Sequence, residues 1–215
     1  LEGIVVGKVL DQKDHPDADR LKVLSIDIGK DKPVTIITNA KNTKEGDLLL
    51  VITSGTKMDN GLVIEDHDFF GIVSEGMLTS YSELGYDDSV IPKEFRDGVI
   101  VLEGDFKPGT PASEVLYSDT PVIEYEITPN RPDCLSIIGM ARESAASFGK
   151  EISLPETDYK TNGKDIREVF DGLSLITDKC DKFITRAISN VKIEPSPQWL
   201  QNYLMLAGMR PVSYT

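Results

Sequence analysis

The sequence predicts an α+β, mainly β protein in which a small closed barrel is followed by a helical unit. Three observations support this fold class. Short segments of alternating apolar residues, separated by glycine, proline and asparagine, fill residues 1–115, as in small barrels. Two prolines, Pro129 and Pro132, then interrupt the strand pattern. Beyond them, apolar residues recur at three- and four-residue steps, the period of an amphipathic helix.

Four strands are predicted in the first quarter of the chain. They are residues 4–10, 21–29, 34–38 and 48–52. Pro16 and Asp17 predict a turn between the first two, because proline interrupts a ladder and aspartate bonds its own backbone. Leu21 and Val23 lie two positions apart and are expected to face the core. The fourth segment is apolar throughout, which indicates a buried strand.

The barrel is expected to close with a strand at residues 99–102, an apolar run followed by a Pro-Gly-Thr-Pro exit loop. Phe69 and Phe70 precede that strand and are expected in the core. Gly71 and Gly76 lie in the same apolar context, where glycine marks a bend or a close backbone approach.

A helix is predicted after the two prolines, because the apolar positions of residues 135–148 share one helical face. Asp133 or Ser136 is the expected N-cap, and Gly149 is the expected end. A short strand at residues 122–127 is expected to lead into this unit.

The C-terminal part predicts two strands, at residues 173–177 and 183–193, followed by one helix. Ser196 and Pro197 are the expected N-cap and first helical position. The face expected to be buried comprises Leu200, Tyr203, Leu204 and Ala207. Trp199 and Tyr203 are expected to belong to the core rather than to a ligand platform. The predicted organisation is a barrel (1–115), a junction unit (116–152), a linker (153–172) and the truncated start of a further domain (173–215).

Charge and composition argue against several classes of function. The net charge of −13 disfavours a protein that holds nucleic acid mainly by neutralising phosphates. No apolar run could span a bilayer, and no histidine or cysteine pattern suggests a metal site. Two distant cysteines are typical of free thiols in a reducing compartment such as the cytoplasm. No nucleophile–base pair is evident, so no catalytic residue is predicted, and the chain, which begins with Leu1, is expected to be part of a longer protein.

Two sets of residues are candidate RNA contacts. Arg20, Lys22, Lys41 and Asn42 form the first set, which either contacts RNA phosphate and sugar or forms a solvated rim. Ser74, Glu75, Gly76 and Ser80 form the second set, which is either a loop surface that meets RNA or a turn shaped by its glycines. Weak contact to the shape of a folded RNA is expected, because the first strands contain no aromatic side chain for base stacking.

The double-proline segment allows two interpretations, a recognition loop or a rigid hinge. Its residues are Pro129, Asn130, Arg131, Pro132 and Asp133. The hinge is favoured, because the prolines restrict the backbone and Asn130 and Asp133 are able to cap it. Arg131 is then expected to pair with a carboxylate.

Three stretches carry motifs that resemble a known family. They are residues 15–21 with 74–78 and 83–85, residues 127–136 with 139–143, and residues 196–200 with 207–211. Together they resemble the β subunits of bacterial phenylalanyl-tRNA synthetases, and the resemblance covers nearly the whole chain. The first stretch is similar to the EMAP-like tRNA-binding OB-fold, the second to this β subunit, and the third to the entry of its B3/B4 editing region.

The resemblance implies a five-stranded OB-fold barrel, a junction unit and the truncated start of an editing domain. It also implies a cytoplasmic part of an α2β2 phenylalanine–tRNA ligase, which acts as a scaffold with weak or peripheral tRNA contact and no DNA partner. ATP, Mg²⁺ and phenylalanine are then expected on the α subunit, and no cofactor is expected on this chain.

The sequence departs from the family at a few positions. Asn39 stands where glycine is common, Thr79 where cysteine is common, and Lys182-Phe183 where Arg-Tyr is common. A stand-alone tRNA-binding module or chaperone is the alternative function, although the second and third stretches count against it. A hydrolytic editing enzyme is a further alternative, which would need more of the editing region than this chain contains.

Overall fold

A computed structural model describes residues 1–58 and 61–212, so the predicted domain end at 213–215 lies outside the described residues. The chain forms two compact units, residues 1–122 with 193–215, and residues 123–192. The strands of the first unit are β1 (Ile4–His15), β2 (Ala18–Asp27), β3 (Val34–Thr38), β4 (Leu48–Thr53), β5 (His67–Phe69), β6 (Ile72–Ser74) and β7 (Gly76–Leu78). The predicted boundaries at residues 115, 152 and 172 remain predictions.

Five antiparallel strands form the barrel sheet in the order β3-β2-β1-β4-β7. The barrel nearly closes where the β6–β7 connection runs beside β3. There the Glu75 amide donates to the Thr35 carbonyl at 2.8 Å. The predicted mainly β fold with a five-stranded barrel is therefore confirmed.

The start of β1, residues 4–7, and its partner residues 49–52 of β4 are buried on both faces. Leu49 and Val51 belong to the core inside the barrel, together with Leu24 and Ile26. Leu50 and Ile52 belong to a second core outside it, which also includes Ile4, Val6, Tyr81, Ile91, Ile100, Leu102, Val115 and Leu116. Burial of alternate residues on opposite faces explains why the fourth segment is apolar throughout.

Two details of the predicted barrel were wrong. On β2 the core side chains are Leu24 and Ile26, whereas Leu21 and Val23 are only half-buried. The bulges between β1 and β2 set this register, and a shift of one residue exchanges the two faces. The fifth barrel strand is β7, while residues 99–102 make one isolated bridge, between Val101 and Leu49.

Two helices complete the first unit, α1 (Ala112–Leu116) and α3 (Gln198–Leu206). The buried residues of α3 are Gln198, Gln201, Asn202 and Met205, so the predicted apolar face was wrong. Asn202 Nδ2 donates to the Val115 carbonyl at 2.6 Å, and Gln198 Oε1 accepts from the Glu103 amide at 3.3 Å. The amide-bearing face points inward because it satisfies backbone groups that would otherwise be buried unpaired.

Aromatic residues lie on the opposite face of α3. Trp199 and Tyr203 are 53% and 56% exposed, so their predicted place in the core was also wrong. Pro197, rather than Ser196, occupies the N-cap position of α3.

The second unit contains α2 (Ile137–Phe148). Ser136 is its N-cap, with Oγ accepting from the Gly139 amide at 3.0 Å, and Gly149 ends it with φ 60°, so both end signals are confirmed. No residue of α2 is buried. The strands predicted at residues 122–127, 173–177 and 183–193 are not formed among the described residues. Nor is any helix there long and apolar enough to cross a membrane.

Candidate nucleic-acid interface

Three candidate cations lie at one end of the barrel. Arg20 and Lys22 belong to the first half of β2, where Lys22 pairs with Thr38 at the end of β3. Lys41 follows Thr38 by three residues in the connection to β4. Arg20 and Lys41 are exposed, and Lys22 is half-buried. Since none of them forms an ion pair with a described residue, their charges are available to an anion.

The surroundings of these cations are acidic. Asp17 lies in the β1–β2 turn at the same end, Asp14 and Asp19 lie on either side of it, and the chain carries a net charge of −13. Carboxylates beside a cation weaken its attraction for phosphate, because the anion meets both fields. This end can therefore make a few phosphate contacts but cannot hold RNA by charge alone.

Asn42 has a structural role that its residue type did not reveal. Its Nδ2 donates to the Val99 carbonyl at 2.8 Å, and its Oδ1 accepts from the Val99 amide at 3.1 Å. The side chain thus replaces a strand partner for residue 99. A Cβ at Gly98 would lie 2.6 Å from Asn42 Oδ1, so the close approach requires glycine there. RNA contact by Asn42 stays a prediction, but both ends of its amide are already bonded.

Ser74 and Gly76 lie at the seam of the barrel. Ser74 is 2% exposed, and its Oγ accepts from the Ile37 amide at 3.0 Å and donates to the Gly76 carbonyl at 2.9 Å. Glu75 Oε2 accepts from the Thr35 amide at 2.7 Å. These bonds join β6 and β7 to β3, which supports the turn interpretation of this set over the RNA-facing one.

Ser80 begins a helical turn rather than standing free. Its amide donates to Glu83 Oε2 at 2.8 Å, while its Oγ accepts from the Glu83 amide at 3.3 Å. This reciprocal arrangement is a capping box. RNA contact by Ser80 also stays a prediction, with its hydroxyl already bonded in the described structure.

An exposed aromatic residue was missed by the sequence analysis. Phe70 is 67% exposed, so its predicted place in the core was wrong, and Phe69 beside it is half-buried. The two residues end β5 and begin the turn to β6, and the Phe70 ring lies 6.0 Å from the His15 ring. No local signal marked this exposure, because Phe-Gly is not among the Asn-Gly, Asp-Gly and Gly-Gly pairs that indicate a two-residue hairpin turn.

The double-proline segment holds the predicted ion pair. Arg131 Nε and Nη2 donate to Asp133 at 3.0 and 2.8 Å, and Nη2 also donates to Glu143 Oε2 at 2.7 Å. The guanidinium lowers the pKa of Asp133 to about 2 and lowers the pKa of Glu143. Since Glu143 belongs to α2, the pair ties the Pro129–Asp133 segment to that helix, as the hinge interpretation requires.

Arg131→Met is expected to raise the Asp133 pKa from about 2 towards 3.8, because the charge-assisted hydrogen bonds are lost. In the folded chain the pKa is depressed, so the pair stabilises the hinge above pH 3.8 and this contribution disappears as pH falls towards 2. Carboxyl-carbon NMR titration measures the shift, with Arg142→Met as the exposed control. An unchanged Asp133 pKa in Arg131→Met would contradict the assignment.

Asp133, Cys134 and Glu143 bring potential metal-ligand atoms within 4.8 Å of one another. The two carboxylates already hold the Arg131 guanidinium, and burial raises the pKa of the Cys134 thiol. A cation there would have to displace an arginine and bind a protonated sulfur, which disfavours a metal site. Cys134 and Cys180 are both free thiols.

The chain is similar in sequence to a family of known domains and to several named proteins. Residues 4–111 match the family described as putative tRNA binding domain. The chain is 41% identical over 215 residues to a Clostridium acetobutylicum protein named phenylalanine–tRNA ligase beta subunit, and 41% identical over 210 residues to the Moorella thermoacetica protein of that name. These alignments cover 99% and 98% of this chain but 26% of each relative, so the chain spans about a quarter of their length. Among solved structures, the C-terminal domain of Plasmodium vivax p43 is 28% identical, with 35% of this chain and 43% of that chain covered and a TM-score of 0.29.

Proposed function

Since this chain belongs to the putative tRNA binding domain family, we propose that it is part of the β subunit of a bacterial phenylalanine–tRNA ligase and gives that enzyme a scaffold with a peripheral tRNA contact. Similarity to named β subunits extends over 99% of the chain, well beyond the matched domain at residues 4–111. That extent favours the β subunit over a stand-alone tRNA-binding module.

The observation that carries the tRNA contact is the group of cations Arg20, Lys22 and Lys41 at one end of an otherwise acidic barrel. Phosphate contacts position a nucleic acid without reading its sequence. Three such cations beside several carboxylates suit a weak contact that adds to binding elsewhere in a larger assembly.

The proposal assigns the chemistry to other parts of the enzyme. The α subunit of an α2β2 assembly binds ATP, Mg²⁺ and phenylalanine, and this chain carries no catalytic residue and contacts no DNA. The assembly acts in the cytoplasm. Residues from 173 onwards begin the B3/B4 editing region, a proposal that rests on the resemblance of residues 196–211.

Titration of the chain with tRNA at several salt concentrations is expected to give weak, saturable binding. The slope of log K against log salt is expected to be shallower than about −3, since each neutralised phosphate contributes about −0.9. Combining Arg20→Ala, Lys22→Ala and Lys41→Ala is expected to remove most of that slope. Fluorescence anisotropy with labelled tRNA measures both the affinity and the slope.

A control variant makes the same change in net charge elsewhere on the barrel unit. Its substitutions are Lys57→Ala, Lys93→Ala and Lys107→Ala, all at exposed positions. The control is expected to keep most of the slope. Equal losses in the two triple variants would show that general charge, rather than this end of the barrel, governs the contact.

A further inference from the structure

The two-residue turn of the β5–β6 hairpin has an unusual composition, because its first residue is phenylalanine. Phe69 pairs with Ile72, so Phe70 and Gly71 are the two central residues, with φ values of 53° and 89°. A turn with positive φ at both positions favours Asn-Gly or Gly-Gly. A bulky side chain at positive φ is an outlier, so the local backbone gives no reason for phenylalanine at this position.

Burial does not explain the phenylalanine at position 70 either. The Phe70 side chain is 67% exposed, and its one ring contact among the described residues is an edge-on approach to His15 at 6.0 Å. An exposed aromatic ring gains little hydrophobic free energy from folding. A position that violates local preference without a packing gain is typical of a functional site.

The tip of the hairpin is nevertheless held firmly. The Asp17 amide donates to His15 Nδ1 at 3.1 Å, so Nε2 carries the proton and donates to the Phe69 carbonyl at 2.9 Å. Asp68 Oδ1 accepts from the Gly71 amide at 2.9 Å, which fixes the turn itself. These bonds place the ring next to the β1–β2 turn before any ligand arrives, which lowers the entropy cost of binding.

The same bonds place Phe70 at the cationic end of the barrel. His15 ends β1 and pairs with Ala18 at the start of β2, two residues before Arg20. Two residues beyond Arg20, Lys22 pairs with Thr38 at the end of β3, the neighbouring strand of the sheet. An exposed aromatic ring beside a few unpaired cations is the combination used by proteins that bind unpaired nucleotides.

We propose that Phe70 stacks on an unpaired base of tRNA, an inference that rests on the proposed tRNA contact and names the residue that supplies its non-electrostatic part. The face of a base is uncharged, so the nearby Asp17 and Asp68 carboxylates do not oppose stacking as they oppose phosphate binding. The alternative ligand for Phe70 is a protein whose basic surface contains an apolar pocket, and the experiment distinguishes it from tRNA.

Phe70→Ala is expected to weaken tRNA binding about tenfold, with Phe70→Tyr close to the parent, because stacking needs an aromatic face. The salt slope is expected to stay unchanged, since no counterion is released by a stacked base. Val73→Ala is the matched control, because Val73 is a 45%-exposed apolar residue of the same hairpin and lies outside the turn. A fully double-stranded RNA of equal length is expected to bind parent and Phe70→Ala equally.

Tryptophan fluorescence supplies a second measurement of the same contact. The parent has one tryptophan, Trp199, so combining Trp199→Phe with Phe70→Trp moves the only reporter to the hairpin tip. Saturable quenching by tRNA is expected for this variant and not for the parent.

The outcomes separate the two proposals. If the parent fails to bind tRNA at all, the proposed function falls and the stacking contact falls with it. If the parent binds and Phe70→Ala binds equally well, only the stacking contact is overturned. A Phe70→Ala variant that keeps its tRNA affinity but loses binding to a basic protein surface would assign the tip to a protein partner instead.

Discussion

Gly76→Ala is expected to lower the free energy of unfolding of the barrel unit by about 3 kcal/mol, among the larger effects of a single substitution. Gly76 has φ 154°, and a Cβ there would collide with the Ile52 carbonyl oxygen. The collision involves backbone of the neighbouring strand β4, which cannot move without disturbing both cores. The β7 strand would therefore separate from β4, its partner in the sheet.

Urea denaturation followed by circular dichroism measures this change. Gly46→Ala is the matched control, because Gly46 also has positive φ, 87°, but no atom within 4 Å of the position of its Cβ. The control is expected to lose about 1 kcal/mol from the backbone conformation alone. Equal stability of the two variants would show that the close approach to the Ile52 carbonyl is not what requires Gly76.

Asn42→Ala is expected to cost roughly 2 to 3 kcal/mol, because it leaves both the amide and the carbonyl of Val99 without their partner. The affinity of the folded variant for tRNA is expected to equal that of the parent. Thermal unfolding gives the first quantity, and anisotropy below the unfolding transition gives the second.

The neighbouring Lys41→Ala is the control for Asn42 and is expected to behave in the opposite way. Lys41 is exposed and makes no ion pair with a described residue, so its removal should change stability by less than about 0.5 kcal/mol. It should weaken tRNA binding and reduce the salt slope by about 1. An Asn42→Ala variant that is fully stable but binds tRNA poorly would return Asn42 to the RNA-contacting set.

Local signals predicted the elements that depend on local chemistry. The continuous apolar segment of β4, the Ser136 cap and the Gly149 end of α2 were all found as expected. Each depends on a few neighbouring residues, since a cap needs only a side-chain oxygen and glycine permits positive φ. The pairing of Arg131 with carboxylates was also predictable, because the prolines around it leave a short and rigid loop.

Long-range choices could not be predicted in the same way. Residues 99–102 and 76–78 are both short and apolar, and only the geometry of closure made the second of them the fifth strand. Similarly, α3 has aromatic residues on one face and amides on the other, and the hydrophobic period alone favoured burial of the aromatics. The unpaired backbone groups of Glu103 and Val115, distant in sequence, reversed that preference.

The candidate interface also combines features that local sequence predicts with features that depend on distant residues. Residue type alone was enough to propose Arg20, Lys22 and Lys41 as phosphate contacts, which stays a prediction, because charge is a property of the side chain itself. Residue type could not show that the side chains of Asn42 and Ser74 are hydrogen-bonded to backbone groups of distant residues, Val99 and Ile37. Nor could it expose Phe70, whose position at a hairpin tip depends on which residues of β5 and β6 pair.

By itself the sequence determined the mainly β class, the acidic charge and the caps of α2. Tertiary structure alone decided the register of β2, the strand that closes the barrel, the face that α3 buries and the exposure of the Phe70 side chain. The physical reason is that composition and period describe what a segment can bury or bond. Which partner a segment packs against or hydrogen-bonds to depends on groups that come together only when the chain has folded.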